Sequence, residues 1–279
     1  MSFKSLFTVL TSSERAEPAL EHIVALARSL DAHVDALCLG VDRTHSGYFY
    51  AGTNALILQE TLTQATAEAA ELAKVATDRL AASGIRWACE EGVAQLADLG
   101  RHVARRARFS DLVVLPKPYG AGCGIEAEPV VESALFDGHA PVLNVPETRC
   151  QLANLRTAVV GWNESVEAMR AVRRSLPFLK RADLVRIAII DPAPHGPDRS
   201  DPGGPLSQML ARHGVKCEID VLGKTMTRVS DVLNRHLTDT NADMLVMGAY
   251  GHSRFREAIL GGATRNMLEH SVVPVFMAH

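Results

Sequence analysis

The sequence predicts an α/β protein made of two tandem doubly wound domains, each a five-stranded, mainly parallel sheet flanked by helices. Three observations carry that prediction. Short aliphatic runs alternate with amphipathic helical patterns along the 279 residues, the late part of the first half recurs in the second, and runs such as Met244-Leu245-Val246-Met247 are apolar at every position. A strand of that last kind is buried on both faces, as in a parallel sheet covered by helices. A usual domain of about 150 residues also divides this length roughly in two. With 47% hydrophobic and 22% charged residues, the composition suits a packed aliphatic core and excludes a disordered or collagen-like chain.

The repeat fixes the element order. Ser110-Asp111-Leu112-Val113-Val114-Leu115 aligns with Ala242-Asp243-Met244-Leu245-Val246-Met247 at an offset of 132, and Ala140-Pro141-Val142-Leu143 aligns with Val273-Pro274-Val275-Phe276 at 133. Near the starts, Leu6 to Leu10 corresponds to Ala158 to Trp162 at an offset of 152. The first copy therefore carries about twenty extra residues. They lie in a long helical pattern from Asn54 to Ala82, where Leu56, Leu58, Leu62, Ala65, Ala69, Leu72, Val75 and Leu80 recur near helical spacing. Its apolar stripe is expected to pack between domains or between chains. In the second copy, strands are predicted at 156–162, 184–190, 216–222, 243–248 and 273–278, with only a brief helix from Leu206 to Arg212. The stretch from Asp191 to Gly204 is too rich in Pro and Gly for helix or central strand and reads as a surface loop. The polar stretch from Pro146 to Asn154 places the boundary, giving domains 1–150 and 151–279.

Composition narrows the partners. Twenty-nine basic against 32 acidic residues, a net charge of −3, give no electrostatic footprint for nucleic acid or anionic lipid. No apolar run reaches the roughly 18 residues of a membrane span, and Leu6 to Leu10 is too short for a signal peptide, so a cytoplasmic protein is expected. The five cysteines, Cys38, Cys89, Cys123, Cys150 and Cys217, are odd in number and contain no C-x-x-C pair. Neither a disulfide framework nor a zinc site is expected, and they read as small buried hydrophobes, with Cys123 in a Gly-rich loop the exception.

In open sheets of this kind, ligands lie beyond the carboxyl ends of the strands where strand order reverses, which points to the loops after the first and fourth strands. After the fourth strand of the second copy, glycines 248, 251, 261 and 262 bracket an arm leading into a helix through Met267 and Leu268. Glycine lets backbone N–H groups turn inward, and a helix start adds N–H donors and a positive dipole end, a combination suited to phosphate oxygens. Gly262, Ala263 and Thr264 open that helix; His252, Ser253 and Thr264 are further candidate contacts.

This loop resembles the universal stress protein family, in which a G-x2-G-x9-G-[ST] segment after the fourth strand wraps the phosphates of ATP. Gly248, Gly251 and Gly261 reproduce the spacing, Val160-Gly161-Trp162-Asn163-Glu164-Ser165 is similar to the family's first-strand segment ending in Asp-Gly-Ser or Asn-Gly-Ser, and Pro274-Val275 resembles its last strand. Both halves look like family copies, so the resemblance implies a tandem member. It implies ATP as ligand, Mg²⁺ arriving on the phosphates, and Asn163, Gly248, Gly251, His252, Ser253, Gly261, Gly262, Ala263 and Thr264 as its contacts. Two departures stand out: Gly262 occupies the Ser/Thr position, with Thr264 two residues on, and Asn163 replaces an acidic residue. An amide can still bond a ribose hydroxyl or an adenine edge. The resemblance further implies pairing through the last strands, here between Pro141–Pro146 and Pro274–His279 of one chain, and leaves a homodimer open.

The first copy departs further. Its loop, Pro116-Lys117-Pro118-Tyr119-Gly120-Ala121-Gly122-Cys123-Gly124, has prolines without N–H groups, its next helix is expected near Pro129-Val130, and Thr11-Ser12-Ser13 offers no acid or amide. It reads as a flexible loop in a domain that supports the second.

Catalysis is not signalled. Gly251-His252-Ser253 lacks the second glycine of a nucleophile elbow because position 255 is Phe, the eleven histidines form no H-E-x-x-H pair, and no Gly-x4-Gly-Lys-[ST] loop is present. No catalytic or metal-ligating residue is assigned. The reading is a stress-response module that binds adenine nucleotide and presents a nucleotide-dependent surface to a protein partner. The alternatives are a slow ATPase or nucleotide-dependent transferase at the same site, and a nucleotide-free structural or interaction protein.

Overall fold

Aliphatic runs become buried strands and the amphipathic segments between them become covering helices. The computed structural model describes residues 2–43, 54–120, 122–148, 152–192, 201–249 and 262–279. The chain divides into two compact units, Phe3–Val142 and Leu143–His279, the latter joined by Ser2.

The N-terminal unit runs β1 (Ser5–Leu10), α1 (Ser13–Leu30), β2 (His33–Asp42), α2 (Asn54–Ala81), β3 (Arg86–Gln95), α3 (Leu99–Ala107), β4 (Leu112–Pro116) and α4 (Ala127–Phe136). Its strands lie in the order β3-β2-β1-β4, and β1–β2, β2–β3 and β1–β4 are all parallel. Strand β5 (Val142–Val145) starts on the unit's last residue. Helix α4 starts at Ala127, ahead of the expected Pro129, so the proline falls in the first turn, where its missing N–H has no partner to lose.

The C-terminal unit repeats the plan with β6 (Thr157–Gly161), α5 (Val166–Leu179), β7 (Leu184–Ile190), α6 (Gly204–Arg212), β8 (Cys217–Leu222), α7 (Val229–Asp239), β9 (Met244–Gly248), α8 (Ala263–His270) and β10 (Val275–Ala278). The order is β10-β9-β6-β7-β8, again with parallel pairs throughout. The doubly wound fold predicted from the repeat is therefore the observed one. Met244, Leu245 and Val246 are fully buried, as strands covered on both faces require. Phe178 of α5 meets Phe276 of β10 edge-to-face at 6.0 Å between ring centroids.

The repeat extends to a side-chain device. Asp111 Oδ2 accepts the N–H groups of Lys4 and Ser5 at 2.7 and 3.0 Å, and Asp243 Oδ2 accepts those of Arg156 and Thr157 at 2.7 and 2.9 Å. In each unit the residue just ahead of the fourth strand thus ties down the start of the first.

The inserted length goes into α2, 28 residues against nine in α6. Ala65, Ala69, Leu72, Ala76 and Leu80 are buried, and α2 packs on α1, β2 and β3 of its own unit, which corrects the expectation that its stripe serves other domains or chains. Small residues let it come close: a Cβ on Gly40 of β2 would lie 1.7 Å from the Ala65 carbonyl oxygen. The cysteine expectation also needs correction. Cys38 is fully buried, but Cys89 and Cys217 are half-buried, because β3 and β8 end their sheet order and lack a strand on one side.

Candidate functional site

In the C-terminal unit strand order reverses between β6 and β9, which pair with Gly161 opposite Met247. The chain leaves β6 toward β7 through α5 and leaves β9 in the opposite direction, toward β10, through α8, and right-handed crossovers therefore put these helices on opposite faces of the sheet. Their N-termini flank the crevice where the two strands end.

The turn after β6 is built from its own side chains. Asn163 Oδ1 accepts the Ser165 N–H at 3.2 Å, and Ser165 caps α5, its Oγ accepting the Ala168 N–H at 3.1 Å. Glu164 between them has φ 62°, a left-handed conformation that costs a residue with a Cβ about 1–2 kcal/mol. It stands where the family pattern carries glycine, a requirement that the sequence alone did not reveal. Asn163 is exposed, and with its oxygen engaged its amide nitrogen is the group to offer a ligand.

Gly248 ends β9 against the first turn of α5. A Cβ there would come within 2.5 Å of Ala168 N and 2.8 Å of the Glu167 carbonyl carbon, so only glycine permits this approach. Gly161 opposite is under no such pressure, its nearest contact being 3.7 Å. The exit from β9 is held by β10: Ala249 N–H donates to Ala278 O at 3.0 Å, and His279 Nδ1 lies 3.0 Å from Ala249 O. Gly251, His252, Ser253 and Gly261 fall outside the described residues. The chain returns at Gly262, which caps α8 with no side-chain acceptor, and the first helical bond runs from Asn266 N–H to Gly262 O at 3.2 Å. Thr264 is 3% exposed and already engaged with neighbours. Its hydroxyl is thus a buried group of α8, whereas Ala263 is partly exposed at the helix start.

Residues 154–279 match the model of the universal stress protein family. The C-terminal unit therefore carries a domain of that family. A universal stress protein from Archaeoglobus fulgidus has the same fold over nearly the whole length, with a TM-score of 0.74 at 14% identity, covering 99% of this chain and 97% of that one. A Pseudomonas aeruginosa protein of unknown function aligns at a TM-score of 0.58 and 11% identity over 99% of this chain and 92% of its own. In sequence, a universal stress protein of Synechocystis is 32% identical over 72 residues, 26% of this chain and 24% of that protein. That match thus spans about a quarter of the curated relative.

The N-terminal crevice, between β1 and β4, is occupied by side chains of its own unit. Arg15 of α1 reaches across to donate to Cys123 Sγ, which also lies 3.6 Å from the Lys117 carbonyl oxygen. Beside them Glu126, buried, pairs with Arg43 Nη2 at 2.7 Å, and Arg43 also reaches Glu68 at 3.3 Å. The cavity left among Thr11, Ser12, Arg15, Pro116 and Gly124 measures about 40 Å³. Small-molecule pockets run to roughly 300–1,000 Å³, so the described residues leave too little room for a nucleotide there. Among the described residues no helix is long and apolar enough to cross a membrane.

Proposed function

We propose that the C-terminal unit binds an adenine nucleotide, ATP in the first instance, and serves as a nucleotide-responsive module of the stress response. The carrying observation is the switch-point crevice between β6 and β9, bordered by the exposed Asn163 turn and by the start of α8, where Gly262 leaves the helix without a side-chain cap. Helix N–H groups and the dipole end favour phosphate oxygens at that position. The fit is uneven but coherent. Asn163 would donate its amide to ribose or adenine, Gly248 would set the depth of the crevice by admitting α5, and Gly262 with Ala263 would face the phosphates. Gly251, His252, Ser253 and Gly261, in the G-x2-G-x9-G spacing, would close the arm over them, while Thr264 would anchor the helix from beneath. ATP supplies the phosphate charge and carries any Mg²⁺. Since a ligand shifts conformation only through differential affinity, the arm's nucleotide-bound arrangement is the state a partner protein reads.

Titration calorimetry of the full chain with ATP and ADP tests this. Saturable binding to the parent protein that weakens at least tenfold in Gly261→Val, with an unchanged thermal transition in the absence of nucleotide, supports the site. Equal affinity in the variant places the nucleotide elsewhere. Phosphate release that follows the same titration would convert the module into a slow ATPase.

A further inference from the structure

Two cysteines 51 positions apart in sequence meet in the N-terminal unit, away from either crevice. Strand register pairs Ala36 with Cys89 and Cys38 with Glu91, which puts Cys38 of β2 and Cys89 of β3 on the same sheet face, one pleat apart. Their sulfurs lie 3.7 Å from each other. Cys38 is fully buried and Cys89 half-buried, at the seam where α2 covers β3. We propose that this pair is a peroxide-reactive redox site, with Cys89 as the attacking thiol and Cys38 as the resolving one.

The roles follow from the environment. Either sulfur could donate across this contact, and the deeper burial of Cys38, which disfavours its thiolate, makes Cys38 the donor, so that charge is stabilised on Cys89 and Cys38 is held protonated well above an ordinary thiol. Cys89 is lowered to about 7 by that bond first, against the opposing effect of burial, with a second hydrogen bond from Thr77 of α2 assisting. An accessible thiolate beside a second thiol is the arrangement of an oxidation-sensitive pair. In the first step the Cys89 thiolate attacks one oxygen of hydrogen peroxide. The O–O bond breaks, the sulfur becomes a sulfenic acid, and hydroxide leaves. In the second, the Cys38 sulfur attacks the Cys89 sulfur: the S–S bond forms, the S–O bond breaks, and the departing hydroxide takes the Cys38 proton as water. Two thiols and one peroxide thus yield one disulfide and two waters.

Closure asks for movement. Diagonal neighbours on adjacent strands sit roughly 7–8 Å apart at the backbone, against roughly 4.4–6.8 Å in disulfides. Cys89 must therefore shift inward by about an ångström, and β3 pairs within its unit only with β2, so no second ladder resists it. This device stands apart from the nucleotide reading and needs no ligand in either crevice.

Peptide mapping of the full chain after treatment with equimolar hydrogen peroxide, quenched with N-ethylmaleimide, tests the pair. The expected major product is a Cys38–Cys89 linked peptide that a dithiol reductant releases, formed before oxidation at Cys123 or Cys217. In Cys38→Ala, Cys89 should be trapped by dimedone as the sulfenic acid, and its labelling by N-ethylmaleimide at neutral pH should slow about tenfold as the thiolate fraction falls. Mapping of the parent protein stands alone should the variant misfold. Oxidation starting at Cys123 or Cys217, or a Cys89 product without the Cys38 link, overturns the proposal.

Discussion

Glu164 carries backbone strain at the turn that begins the candidate site. Replacing it with glycine, which adopts φ 62° freely, should raise stability by about 0.5–1 kcal/mol, read as a higher urea midpoint with unchanged slope. A lower midpoint would mean that the Glu164 side chain contributes more than its backbone costs. Gly248 and Gly161 lie at the ends of neighbouring strands yet should respond differently. Gly248→Ala brings a methyl against the α5 backbone and should cost about 1–3 kcal/mol, while Gly161→Ala, with 3.7 Å to its nearest neighbour, should change stability by under about 1 kcal/mol. Sequence spacing identified Gly248 but assigned it only to the phosphate loop. Its packing role depends on how closely α5 approaches, which no local pattern encodes. The same is true of Cys89, whose partner appears only once strand register is known. Its alkylation rate should rise with pH through a midpoint at about 7, because only the thiolate reacts and protonation below that pH removes it. Glu91 on the same face opposes the shift, and Thr77 and Cys38 favour it. A midpoint near 9 would mean that the Cys38 hydrogen bond does not operate in solution.

Among the elements, the strands were the most legible part of the sequence. Continuous runs such as Met244 to Met247 have one structural solution when helices flank them, and the predicted strands of the second half match β6 to β10 to within two residues at either end. Helix α2 was equally plain from its periodicity, but its packing partner was not. A stripe of Ala and Leu states that something is covered, and only Gly40 under Ala65 shows what. The paired aspartates show how a repeat can be physical as well as textual. Asp111 and Asp243 each hold two backbone donors at the root of a first strand, so Asp243→Ala should destabilise the C-terminal unit by about 1.5–3 kcal/mol and Asp111→Ala should do the same to the N-terminal unit. Hydrogen exchange resolved by peptide checks both. Loss of protection confined to the substituted unit is expected, and uniform loss would show that the two units unfold as one.

Across the whole molecule, one fold serves twice: the N-terminal crevice is occupied by its own side chains, whereas the C-terminal one is the proposed nucleotide site. The sequence indicated this asymmetry through Pro116 and Pro118 in the first copy and the glycine spacing of the second. It did not show what closes the first crevice, because Arg15, Arg43 and the Cys123–Glu126 loop come from three separate segments. The central claim is that nucleotide binds beside Asn163 and the start of α8. Its most direct test is hydrogen–deuterium exchange of the full chain with and without saturating ATP. Protection should appear in peptides spanning 161–168 and 249–268 and be absent from those spanning 9–15 and 115–127; protection in the N-terminal peptides, or none in either set, would contradict the account.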